Sequence, residues 1–170
     1  MRILGFDPGT ATTGYGVVES RGSRLIHVAH GVIRTPPEAS FDARLRTIFE
    51  TCQDLILRFE PDAAALESIF FSRNVSTAIS VSQARGVIAL AAALADKPVA
   101  EFSPLEVKNA VVGYGKAEKH QVQEMVKILL NLDAVPRPDD AADALALAIC
   151  RIHAGPAIAA GEGFAEGRGV

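Results

Sequence analysis

The chain has 170 residues, 49% of them apolar, a formal charge of −3 and two cysteines. That length builds one good core and is short for two domains, and no apolar run approaches the roughly 20 residues that cross a bilayer. Cys52 and Cys150 stand too far apart for a zinc motif, so buried free thiols are expected rather than a disulfide framework. An acidic balance excludes a simple nucleic-acid coat protein, which draws on a basic surface, unless the acids are gathered around cations that neutralise them.

Asp7 interrupts the opening apolar run before it could serve as a signal-peptide core, so a soluble cytoplasmic protein is expected. Arg2 to Asp7, Gly14 to Glu19 and Leu25 to Arg34 read as three short strands parted by turn residues. Phe41, Leu45, Ile48, Phe49, Cys52, Leu55, Ile56 and Phe59 fall at helical spacing, with Ser40 as the expected N-cap. Ala63 to Leu66 is a short buried strand ending at Glu67. From Asn74 to about Ala95 the pattern is helical and, beyond Ala84, apolar almost all round, which predicts burial against the sheet or a second subunit.

Val99 to Phe102 is another short strand, and Ser103-Pro104 opens a helix that runs to Val112. Gly113 to Lys116 breaks it, and a second amphipathic helix turns Val122, Met125, Val126, Leu129 and Leu130 inward. A last helix spans about Asp139 to His153, with Asp139 as the expected N-cap. This order predicts an α/β domain over residues 1–154, with a five-stranded mixed sheet, three strands antiparallel and two parallel, flanked by helices. The glycine-rich stretch 155–170 is expected to be a disordered tail.

The chemistry lies in the acids. Asp7 ends an apolar strand before the tight turn Pro8-Gly9-Thr10, where a turn-forming aspartate is an equally good explanation. Glu67 closes a buried strand, where its charge needs a cation or a salt-bridge partner. Asp140 and Asp143 are three apart and share one helix face among alanines, whose small side chains leave room for an ion. Ordinary first-turn electrostatics explain Asp139 but not Asp143. Lys108, Lys116, Lys119 and Lys127 make a local basic strip that suits phosphates, although Glu106, Glu118 and Glu124 interleave with them as on any solvated helix face. The four histidines make no ligand-like cluster and are assigned no catalytic role.

Four segments in combination resemble the RuvC family of Holliday junction resolvases: Ile3-Leu4-Gly5-Phe6-Asp7-Pro8-Gly9-Thr10, the Glu67 strand with Phe70 and Asn74 after it, Val111-Val112-Gly113 through Lys119, and Asp140-Ala141-Ala142-Asp143-Ala144-Leu145-Ala146. The likeness covers roughly Met1 to His153. It implies a ribonuclease H-like fold, a homodimer and symmetric nicking of a four-way DNA junction in recombination and repair, with a branch-migration motor complex as a further partner. By position, Asp7, Glu67, Asp140 and Asp143 match the family's catalytic, metal-binding acids. Lys108 and Lys119 match its phosphate contacts, Lys116 less closely, and Phe70 matches a residue that inserts near the crossover. Phe71 is left to the core or an interface.

Carboxylates suit a hard ion such as Mg²⁺, and two per subunit, with Mn²⁺ as a substitute, serve hydrolysis by acidifying a water and stabilising the leaving oxygen. Asp7 is expected to bridge the ions, and the products to carry 5′-phosphate and 3′-hydroxyl ends. Three other readings compete. A hybrid-cutting ribonuclease would use the same fold and acids. Asp7-Pro8-Gly9-Thr10 also resembles the phosphate loop of actin-like phosphotransferases, but those need two such domains. A catalytically dead junction adaptor would have no reason to keep four costly charges together.

Overall fold

The computed structural model describes residues 1–68 and 75–155. Phe70, Phe71 and Asn74 therefore lie outside the described residues, as does the tail beyond Gly155. Five strands form one sheet in the order β3-β2-β1-β4-β5: β1 (Arg2–Asp7), β2 (Thr12–Arg21), β3 (Arg24–Arg34), β4 (Ala63–Glu67) and β5 (Val99–Phe102). β1 pairs antiparallel with β2 and β2 with β3, whereas β4 runs parallel to both β1 and β5. The expected three-plus-two mixed sheet is thus the one that forms.

Alternation along the strands divides the core into two layers. Leu4, Phe6, Val17, Ala64 and Leu66 face helices α1 (Phe41–Phe59) and α2 (Val75–Leu94). Ile3, Val18, Ala63, Ala65, Ala100 and Phe102 face α3 (Pro104–Val112), α4 (Lys119–Leu129) and α5 (Asp139–His153). Cys52 belongs to the first layer and Cys150 to the second, so the sheet separates them. Both thiols are free, and burial pushes each up to about 12.

Helix ends follow local chemistry. Ser103 accepts from the Glu106 backbone N–H, and the Glu106 carboxylate accepts in return from the Ser103 N–H, a capping box with Pro104 in the first turn. Ser40 stands at the N-cap of α1, but its side chain caps no backbone N–H. Pro138 rather than Asp139 takes the N-cap of α5, with the extended backbone (φ −67°, ψ 176°) usual at a cap and no side-chain cap hydrogen bond. Asp139 becomes the first helical residue and pairs with Arg137.

Two expectations are refined by packing. Helix α2 is not covered all round: Ala84, Ile88, Ala91 and Ala92 are buried, while Ile79, Leu90 and Leu94 are exposed by more than half. Among the histidines, His27 and His30 do meet, their ring nitrogens 2.7 Å apart. Residues three apart on a regular strand point to opposite faces. Here the pairing passes from Val17↔Ala29 to Val18↔His27, skipping Val28, and that bulge brings both rings to one side. Among the described residues no helix is long and apolar enough to cross a membrane.

Candidate active site

Strand register decides where the first two acids go. β1 and β4 are level, with Phe6 opposite Leu66, so Asp7 and Glu67 follow side by side at the carboxyl ends of parallel strands. Ile3, Gly5 and Asp7 share one face of β1, and Ala63, Ala65 and Glu67 share the same face of β4, the one packed against α5.

Three glycines bring the other two acids to that face. A Cβ on Gly5 would lie 2.1 Å from the Ala144 carbonyl oxygen, one on Gly14 would lie 2.0 Å from that of Asp140, and one on Gly16 would lie 2.7 Å from the Leu145 nitrogen. Helix α5 therefore lies backbone to backbone on β1 and β2, closer than any side chain permits. Gly14 is also the strand partner of Asp7. The gap between Asp7 and Asp140 is thus set by a missing methyl group. The sequence reading missed these glycines; their signal was Gly14 and Gly16 at a spacing of two within a strand, with Gly5 on its neighbour.

The consequence is electrostatic crowding. Burial, followed by Asp143, Glu67 and Asp140, raises the Asp7 carboxyl from its ordinary 3.8 to about 7. Burial and Asp143 raise Glu67 as well. Asp143 is raised chiefly by burial, against the opposing pull of Lys119. That lysine donates to the Asp143 Oδ2 at 2.8 Å and stands 3.7 Å from Asp139, its own pKa raised first by the Asp143 hydrogen bond. A cavity of about 200 Å³ opens between the elements, lined among others by Glu67, Lys108, Lys119 and Asp143. Lys116 is exposed on the connection before α4.

The donor set is hard, anionic and short of positive charge, which is the chemistry a divalent oxygen-seeking ion fits. Among the described residues, no three acidic, histidine or cysteine side chains stand ready-made around one ion position. The four acids nevertheless share one end of the sheet, close enough for Asp143, Glu67 and Asp140 each to raise the Asp7 pKa.

These shifts make the metal-free fold sensitive to pH. Asp7 has a folded pKa above its unfolded one, so its contribution is fully present below about pH 4 and is lost as pH rises through 7. The depressed pKa values of His27 and His30 act with the opposite sign, favouring the fold as pH rises. The wild-type minus Asp7→Asn difference cancels the histidine contributions and leaves that of Asp7 together with its coupling to the neighbouring acids. In chelator, that difference in Tm should move against the wild type by about 5 °C between pH 5.5 and 8, within a ceiling of about 4 kcal/mol. Millimolar Mg²⁺ should restore the wild type at pH 8 and leave Asp7→Asn unmoved. A pH-independent difference in scanning fluorimetry contradicts the assignment.

The family model for crossover junction endodeoxyribonuclease RuvC matches residues 3–151. The chain belongs to the RuvC family. It is 54% identical over 153 residues to the crossover junction endodeoxyribonuclease RuvC of Syntrophomonas wolfei, covering 90% of this chain and 89% of that one. It is 56% identical over 153 residues to the RuvC of Heliobacterium modesticaldum, covering 90% and 94%. Among solved structures, Thermus thermophilus RuvC in complex with a Holliday junction substrate superposes with a TM-score of 0.87 at 35% identity, covering 91% of this chain and 94% of that one. The fold is accordingly ribonuclease H-like, and the enzyme is a RuvC-type nuclease.

Proposed function

We propose that this RuvC-family chain resolves four-way DNA junctions, nicking two opposed strands symmetrically as a homodimer in recombination and repair. The observation that carries this reading is the convergence of Asp7, Glu67, Asp140 and Asp143 at one end of the sheet, where each of the other three raises the Asp7 pKa. These acids would hold Mg²⁺, two ions per subunit, with Mn²⁺ accepted in their place. Bound there, the ions supply an acidified water and stabilise the leaving oxygen.

The chain's own residues do the rest. Asp7, fixed at the end of a central strand, would be the ligand shared between the ions, and Glu67 and Asp143, which line the adjoining cavity, would complete their coordination. Asp140 anchors the site to α5. Lys108 and Lys119 line the same cavity and meet the phosphates flanking the cut, and exposed Lys116 meets the backbone further out. Water attacks phosphorus, the bond to the 3′ oxygen breaks, and the products carry 5′-phosphate and 3′-hydroxyl ends. Phe70, beyond the carboxyl end of β4, stacks on a base freed at the crossover. The catalytic unit is residues 1–154, acting in the cytoplasm.

Symmetric nicking needs two sites about a two-fold axis. The uncovered face of α2, with Ile79, Leu90 and Leu94 exposed at helical spacing, is the surface proposed to meet its copy. Leu90→Glu should convert the dimer to a monomer in light scattering and abolish paired nicking of one junction; a dimer that persists moves the interface elsewhere. A branch-migration motor is the further partner proposed. The function itself is tested by comparing a synthetic four-way junction with linear duplex and with an RNA–DNA hybrid under Mg²⁺. Selective, symmetric nicking of the junction is expected; preferential cutting of the hybrid would replace this reading with a ribonuclease.

A further inference from the structure

Lys119 occupies a place that local helix chemistry disfavours. It is the first residue of α4, where the helix dipole repels a cation, and its ammonium reaches away to Asp143 at 2.8 Å with Asp139 at 3.7 Å. Its charge also lowers the pKa values of Asp7 and Glu67, so its field extends across the acid cluster. Yet 57% of its side chain remains exposed. A lysine is a compact charge on a flexible four-carbon stem with no bidentate grip. It can leave toward solvent without disturbing the helix backbone that carries it.

From this geometry we propose that Lys119 is a built-in counter-ion that competes with the divalent cation for Asp143, and that its displacement frees the ammonium to take a DNA phosphate. The inference rests on the metal-binding role proposed for the acids. Three consequences follow from the arrangement. With Lys119 in place the acids are partly neutralised, which limits their repulsion before any ion binds. An arriving dication must displace the ammonium from Asp143, so affinity for metal alone is weakened. Once displaced, Lys119 stands beside the same cavity as Lys108 with its charge unspent, so metal and DNA each favour binding of the other through one side chain. Such coupling is reciprocal by thermodynamic necessity.

The test is Mn²⁺ titration of the full chain by calorimetry, without DNA, on the wild type, Lys119→Met, Lys119→Arg, Asp7→Asn and Lys97→Met. Lys97 lies far from the site, beside Leu94 and Glu60, and controls for net charge. Lys119→Met should bind Mn²⁺ about tenfold more tightly than the wild type, the equivalent of one charge-assisted hydrogen bond. Lys119→Arg, which keeps the charge, and Lys97→Met should stay within about twofold. Unchanged or weaker binding by Lys119→Met overturns the counter-ion role. Wild-type binding by Asp7→Asn would instead overturn the metal-site reading beneath it. In a second arm, Ca²⁺ should tighten wild-type binding to a junction at least about fivefold more than it tightens binding by Lys119→Met; equal enhancement in both contradicts the coupling.

Discussion

Asp7→Asn should abolish junction cleavage, by at least about a thousandfold, while junction binding survives. The carboxylate is held at the end of β1, the central strand of the sheet, so it has little freedom to be replaced by a neighbour. It is also the acid whose proton responds to all three others. An asparagine fills nearly the same volume but presents one oxygen and no charge, which would remove the proposed metal ligand and leave the strand intact. A loss of about 4 kcal/mol of transition-state stabilisation corresponds to that thousandfold. Because the substitution relieves crowding among buried acids, metal-free Asp7→Asn should be at least as stable as the wild type at pH 8. Single-turnover nicking of a labelled junction, with gel-shift binding in Ca²⁺, measures both effects. Cleavage within tenfold of the wild type removes Asp7 from the chemistry.

Gly14→Ala should slow cleavage about a hundredfold although it alters no functional group. The added Cβ would lie 2.0 Å from the Asp140 carbonyl oxygen and 2.4 Å from its carbon. Both are backbone atoms, so no rotamer relieves the clash and either α5 or β2 must retreat. A retreat of about 1 Å separates Asp140 and Asp143 from Asp7, and misplacement on that scale costs about two orders of magnitude in rate. Overpacking should also lower stability by about 1–3 kcal/mol, which Tm reports separately. Cleavage at the wild-type rate would mean that the spacing between β2 and α5 does not set the site.

The order of elements was legible because each boundary has a local cause. β4 stops at the carboxylate of Glu67, α3 starts at the Ser103 capping box, and α5 runs Asp139–His153 as its periodicity predicts. The placement of Asp7 and Glu67 at strand ends and of Asp140 at a helix start was legible from local pattern, with Asp143 one turn further along α5. What escaped depends on contacts between distant segments. Gly5, Gly14 and Gly16 look like weak strand residues until α5 lies across them. Lys119 reads as one member of a basic strip, and nothing within its own helix reveals its bond to Asp143, 24 positions away. His27 and His30 looked unrelated because a bulge reverses the phase of the strand between them. The apolar run of α2 pointed to burial against the sheet or a second subunit, and only packing showed that Ala84, Ile88, Ala91 and Ala92 face the sheet side while Ile79, Leu90 and Leu94 do not.

The central claim is that Asp7, Glu67, Asp140 and Asp143 jointly hold divalent ions, and anomalous diffraction from crystals soaked in Mn²⁺ tests it most directly. Peaks lying among these four carboxylates, with Lys119 drawn off Asp143, are the predicted result. Manganese bound elsewhere on the chain, with the four acids unoccupied and Lys119 still paired, would contradict it.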